Sequence, residues 1–106
     1  MIVGTIVKQL AERFPVAIDF TRRIQTGETL ASATVTAVLK ASGADATTTV
    51  LEGAAGFAAG LVTRMLKVTA GNDGVDYVLA FQGVTAPGGH ILEDELLLQV
   101  RETATG

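Results

Sequence analysis

The side chains that could do chemistry are few, and their spacing decides what each can do. The densest acidic run is Glu93-Asp94-Glu95. Adjacent carboxylates can share acid–base work or hold a divalent cation. Alternation along a strand, however, sends Glu93 and Glu95 to one face and Asp94 to the other. No second acidic cluster lies nearby in sequence, so the run reads as solvated charge on an edge strand, where it discourages stray pairing. Asn72-Asp73-Gly74-Val75-Asp76 has the look of a calcium loop but lacks the alternating ligands and closing glutamate, and reads as a turn. His90 is the single histidine, set after Pro87-Gly88-Gly89 with no Gly-x-Ser-x-Gly elbow to work with, so it is expected to make polar loop contacts. Gly83 to Gly89 holds no lysine and is no phosphate-cradling loop. Gly53 to Gly60 is no dinucleotide fingerprint. It reads as a flexible hairpin tip carrying Phe57 as an exposed anchor or as a lid on the core. An enzyme built on Asp73, Asp76 and Glu93 ranks last among the readings. No catalytic, cofactor-binding or metal-ligating residue is assigned.

Composition narrows the field further. The chain has 106 residues, 48% apolar and 18% charged, which is one domain and not a disordered segment. Zero cysteines exclude a disulfide scaffold, thiolate chemistry and a sulfur-ligated zinc. Net charge is −3, and of the eight basic residues only Arg22 and Arg23 are adjacent, so the clustered cations that displace counterions from nucleic-acid phosphates are missing. Direct nucleic-acid binding is not expected. The start, Met1 to Ile6, has no basic leader region, and the Gly53 to Val62 stretch is far short of the roughly 20 apolar residues of a bilayer span, so no membrane contact is expected either.

The elements that must position these residues announce themselves by period two. Val16, Ile18 and Phe20 alternate with Ala17 and Asp19; Ala31, Ala33, Val35 and Ala37 alternate with Ser32, Thr34 and Thr36. Thr47 to Leu51 reads as a short threonine-rich strand. Leu61 to Val68 fits either of two registers, one with Val62, Leu66 and Val68 inward beside Arg64, the other with Leu61, Thr63, Met65 and Lys67 inward. Val75, Tyr77, Leu79 and Phe81 form the clearest core face, and Leu92, Leu96, Leu98 and Val100 form another. Turn residues fall between these runs at Gln25 to Gly27, Ala41 to Gly43, Gly71 to Gly74 and Ala86 to Gly89. Strands separated by turns, without helices between them, predict an all-β protein, an immunoglobulin-like antiparallel β-sandwich over 16–101. Tyr77, just after a turn glycine, fits either a tyrosine corner or an ordinary buried tyrosine. Residues 1–15 depart from the pattern. Val3, Ile6, Val7, Leu10 and Phe14 recur at helical spacing opposite Lys8, Gln9, Glu12 and Arg13, predicting a short N-terminal amphipathic helix or arm that ends at Pro15. Residues 102–106 make a short C-terminal tail. The expected core anchors are Tyr77, Leu79, Phe81, Leu96 and Leu98.

The order of these segments resembles a known family. Val16-Ala17-Ile18-Asp19-Phe20 followed by Gly27-Glu28-Thr29-Leu30-Ala31-Ser32-Ala33-Thr34-Val35 is similar to the opening of small tailed-bacteriophage virion proteins of the immunoglobulin-like fibre-tail or head-tail adaptor type. Gly71-Asn72-Asp73-Gly74-Val75-Asp76-Tyr77, Val84-Thr85-Ala86-Pro87-Gly88-Gly89 and Leu96-Leu97-Leu98-Gln99-Val100 match their later turns and closing strand. The resemblance covers about residues 16–101. Phe20 stands where those proteins often have tryptophan, and Ala70 replaces one glycine of a pair.

The resemblance implies a structural virion component without catalysis or cofactor, made in the host cytoplasm and joining tail, head or fibre proteins. Virion adaptors of this kind sit in closed rings, and the apolar content here exceeds what one small core should hide. A homo-oligomeric ring is therefore expected, with Val3, Ile6, Val7, Leu10, Phe14 and Phe57 as candidate assembly contacts. The competing reading is an immunoglobulin-like binding module for a cell-surface glycan or protein. With no tryptophan and Phe57 the only loop aromatic, the sequence favours it less.

Overall fold

A computed structural model of the chain describes residues 2–68 and 72–101. Met1, residues 69–71, which include the first residue of the expected turn and the Ala70 of the resemblance, and the expected tail at 102–106 lie outside the described residues. Seven strands follow one another: β1 (Ile2–Lys8), β2 (Pro15–Asp19), β3 (Thr29–Leu39), β4 (Leu51–Ala58), β5 (Leu61–Leu66), β6 (Asp76–Ala86) and β7 (Ile91–Val100). A 3₁₀ turn at Thr21–Arg23 follows β2, and one turn of helix, α1 (Thr47–Val50), precedes β4. The strands form two sheets, ordered β1-β7-β6-β3 and β2-β5-β4.

The period-two runs bury most of the faces expected of them, with Ala33, Val75 and Leu92 only partly buried and Ala31 exposed. Val16, Ile18 and Phe20 from one sheet, and Tyr77, Leu79, Phe81, Leu96, Leu98 and Val100 from the other, meet in a single core between the sheets. Burying such side chains contributes on the order of 1.5–3 kcal/mol each, which is why alternation dictates the fold. In β5 the register with Val62, Arg64 and Leu66 inward is the one adopted, while Val68, past the strand's end, is exposed. The Arg64 guanidinium crosses the interior and donates to the carbonyls of Val35 in β3 (2.5 Å) and Gly53 in β4 (2.8 Å).

Several expectations need correction. Of the helix or extended arm expected over 1–15, residues 2–8 take the extended form and no helix. They pair in parallel with β7, from Ile2 beside Glu95 to Lys8 beside Val100. Helical spacing lost because Ile2, Val3, Thr5, Ile6 and Val7 are β-branched and Gly4 is a poor helix former, while β7 offered an open row of backbone groups. This also makes one strand pair parallel where an all-antiparallel fold was expected. Lys8, cast on a polar helix face, is fully buried, its ammonium donating to the carbonyls of Gln9 (2.8 Å) and Leu10 (3.2 Å).

Thr47 to Val50 is helical rather than a strand. Asp45 accepts the Thr47 N–H (3.2 Å), and the Thr47 hydroxyl and Ala37 hydrogen-bond across to β3, fixing one tight turn there. Gly53 to Ala58 belongs to strand β4, irregular between Glu52 and Gly56, and only Ala59-Gly60 make the tip. In β3 a bulge at Ala31, between the pairs Leu30–Thr85 and Ser32–Val84, turns Ala31 outward and buries Leu30 in its place. The Glu93-Asp94-Glu95 run is not on an edge strand: β7 lies between β1 and β6, although β1 reaches only as far as Glu95 and leaves the Glu93 end uncovered.

Candidate partner-binding surface

The β2–β3 connection, the β4–β5 tip and the β6–β7 turn gather at one end of the molecule. Local hydrogen bonds, not large contacts, hold them. Asp19, the last residue of β2, accepts the Thr21 N–H (2.8 Å) and lies within reach of the Thr21 hydroxyl, which is also 3.0 Å from the Ala59 carbonyl. These bonds hold the Asp19 carboxyl below its ordinary range, the Thr21 hydroxyl doing most. Phe20 N–H donates to the Gly60 carbonyl at 2.8 Å. Gly60 has φ +91°, and a Cβ there would lie 2.6 Å from Thr21 Oγ1 and 3.1 Å from Thr21 backbone. Only glycine lets the tip sit this close. Arg23 stacks over Phe20, 5.5 Å from the ring centre, and its Nη1 reaches Asp94 at 2.8 Å, tying the β2–β3 connection to β7.

A second latch joins Glu28 to the β6–β7 turn. Its carboxylate is 3.1 Å from His90 Nδ1 and is also bonded by the Thr85 side chain and the Gly88 N–H. Those bonds lower the Glu28 pKa, Thr85 contributing most and His90 next. A Cβ on Gly88 would lie 1.9 Å from Glu28 Oε1, so only glycine there leaves the Glu28 carboxylate in this place. His90 thus makes the polar loop contact expected of it. Gly27-Glu28-Thr29 and Thr85 to His90, two of the segments that carried the resemblance, touch each other.

Between these latches the gap between the sheets opens as a cleft of about 440 Å³. Ile24, Leu30 and Phe57 supply its apolar side, and Thr21, Gln25 and Thr26 stand among its polar lining. Phe57, paired across from the buried Val62, faces inward at the mouth and is 42% exposed. It partly covers the cleft, as the lid reading expects. Nearby at the same end, Leu61 and Ile91 (65%) are exposed.

The candidate assembly residues divide. Val3 (48%) and Val7 (56%) are exposed on β1. Ile6, Leu10 and Phe14 are partly buried against the protein's own core. Phe57 is not brought near Val3 or Val7, because β1 lies along Glu95 to Val100 of β7, away from the end where the cleft opens. Ile24, Leu30, Leu61 and Ile91 were not singled out from sequence. Ile24 sits alone between polar neighbours, and nothing in its spacing signals a cleft. Among the described residues no group of three histidine, aspartate or glutamate side chains could hold a metal ion, and no helix is long and apolar enough to cross a membrane.

Residues 8–99 match a family model, which places the chain among small structural proteins of the phage tail. The family is that of podophage GP4 fiber-tail adaptor protein gp77, and the chain belongs to it. No curated protein and no solved structure matches the chain.

Proposed function

We propose that the chain is a non-enzymatic adaptor that links a phage tail to its fibres, working in the virion as a homo-oligomeric ring after assembly in the host cytoplasm. The observation that carries this reading is the family match over residues 8–99. The distribution of apolar surface supports it. An adaptor needs more than one contact, and exposed apolar side chains stand at the cleft end (Phe57, Leu61, Ile91), along β1 (Ile2, Val3, Val7) and at Val68 after β5. Val3, Val7 and Phe57 are therefore the assembly contacts of this proposal; Ile6, Leu10 and Phe14 serve the core.

The fold is read as immunoglobulin-like. Sheet orders β7-β6-β3 and β2-β5-β4 are those of strands G-F-C and B-E-D in that sandwich, with β1 running beside the G-like strand. Buried Tyr77, second in the F-like strand, occupies the place of the tyrosine corner. Direct nucleic-acid binding is disfavoured because most of the eight cations are engaged within the chain. Arg13, Arg23 and Arg101 pair with Glu52, Asp94 and Asp76, while Arg64 and Lys67 bond carbonyls.

The test is genetic and structural together. Virions should contain the chain in fixed stoichiometry by quantitative mass spectrometry. Particles made without it should carry tails but no fibres, and the purified chain should restore fibre attachment. Fibred particles assembled in its absence would refute the proposal.

A further inference from the structure

We infer that two copies of the chain join edge to edge through β1, antiparallel about a two-fold axis at Thr5, so that their four-stranded sheets continue as one. The inference rests on the oligomeric reading above and names its contact.

The backbone sets up the joint. β1 is the last strand in its sheet order, and among the described residues no strand pairs with its other side. Lys8 turns its carbonyl to β7, where it accepts the Arg101 N–H at 2.9 Å. Successive residues of a strand aim their N–H and C=O to opposite sides. Gly4, Ile6 and Lys8 therefore serve β7, and Thr5 and Val7 direct theirs outward, with Val3 at the irregularity between Ile2 and Gly4. An edge of this kind is a template for another strand.

The other edges are protected. On β3, the opposite edge of the same sheet, Arg64 takes the Val35 carbonyl, Ala46 N–H takes the Ala37 carbonyl (2.8 Å), and Leu39 N–H is used by the Ala44 carbonyl (2.8 Å). In the second sheet, β2 opens with Pro15 and closes with Asp19, and β4 is irregular between Glu52 and Gly56. Ile2 to Val7 has no charge and no proline. A head-to-tail contact of β1 on β3 is thus blocked over Val35 to Leu39.

The occupant follows from complementarity. In the stretch Val3-Gly4-Thr5-Ile6-Val7, valines stand symmetrically about Thr5, with Gly4 opposite Ile6. Antiparallel pairing centred there sets Thr5 against Thr5 and Val3 against Val7 of the second copy, favourable cross-strand pairs. Each copy carries net charge −3, and this uncharged strand is where two copies can approach without apposing like charges. Such a contact is isologous, so a ring built from these pairs closes through a second, different contact.

Thr5 permits a clean test, because its N–H faces away from β7. Thr5→Pro removes an outward donor and no bond of the β1–β7 ladder. Light scattering on the full chain should give twice the chain mass for the wild type and the single mass for Thr5→Pro, with the thermal transition retained. The chain has no cysteine, so Thr5→Cys under mild oxidation should yield a disulfide-linked pair, and Thr36→Cys, exposed on β3, should not. A wild type that stays single with no cross-link at position 5 overturns the pair while leaving the adaptor reading to the fibre-attachment assay. Oligomers that persist in Thr5→Pro and do not cross-link through position 5 overturn the pair while keeping oligomeric assembly.

Discussion

Replacing Gly60 by alanine separates two costs that the structure assigns to one residue. Gly27 and Gly60 have nearly equal backbone angles, φ +89° and +91°. A Cβ on Gly27 meets nothing within 4 Å, whereas on Gly60 it runs into Thr21 side chain and backbone. Gly27→Ala therefore carries the conformational cost alone, about 1–2 kcal/mol for an L-residue forced to positive φ. Gly60→Ala carries the same cost and must also push Thr21 away. That breaks the Phe20 N–H to Gly60 carbonyl bond and the Thr21 to Ala59 contact, adding about 1–2 kcal/mol. With roughly 4–8 °C per kcal/mol for a domain near this size, melting should drop by about 5–15 °C for Gly27→Ala and about 10–30 °C for Gly60→Ala. Melts followed by circular dichroism, run side by side, give the difference directly. Equal losses for the two variants would refute the close approach of the hairpin tip to Thr21.

The remaining predictions test the core, the latches and the cleft. Tyr77→Ala and Phe81→Ala should each cost about 3–5 kcal/mol in urea denaturation, because both rings are buried in the central strand β6; an unchanged midpoint would remove β6 from the core. Asp19, Glu28 and Asp45 are all lowered in the folded state, from ordinary values of 3.8, 4.5 and 3.8, chiefly by hydroxyl bonds from Thr21, Thr85 and Thr47. Depressed folded-state values contribute stability above the ordinary range and lose it as pH falls through the lowered ones, so unfolding free energy should be level down to about pH 5 and decline below it. Gly88→Ala, which displaces the Glu28 carboxylate, should make that decline shallower; an identical pH profile would argue against the Glu28 latch. Phe57→Asp should weaken capture of tail or fibre proteins at least about tenfold with little change in melting, as expected when one exposed aromatic anchors a contact.

The parts of the fold that sequence made legible are those where burial alone decides. Val16, Ile18 and Phe20, and Tyr77, Leu79 and Phe81, alternate cleanly and all lie inside. Misreading began where a second force competed. Val3, Ile6, Val7, Leu10 and Phe14 do share a helical spacing, but the five are divided between a strand and the turn after it, and only tertiary pairing with β7 reveals the division. Thr47 to Thr49 favour strands by composition, yet Asp45 and Ala37 capture Thr47 and close a helical turn. The glycine-rich Gly53 to Gly60 lacks intrinsic strand preference, and Gly56 to Ala58 are held extended by pairing with β5. The cleft was invisible because its apolar members, Ile24 in the β2–β3 connection, Leu30 in β3 and Phe57 in β4, are distant in sequence and share no periodicity.

The segments that carried the family resemblance do structural work. Glu28 closes on Thr85, Gly88 and His90, and Asp19 fixes Thr21 against the β4–β5 tip. These groups spend their hydrogen bonds on one another and hold the cleft's walls at a set spacing. On the function proposed above, a partner would meet the side chains those latches leave open: Phe57 at the mouth, Leu61 and Ile91 beside it. Exchanging these three for other apolar residues should alter which tail or fibre protein is captured while the latches keep the fold, whereas breaking a latch should weaken every partner together. An adaptor organised this way separates the residues that carry load from those that choose the neighbour, and the two classes of substitution tell them apart.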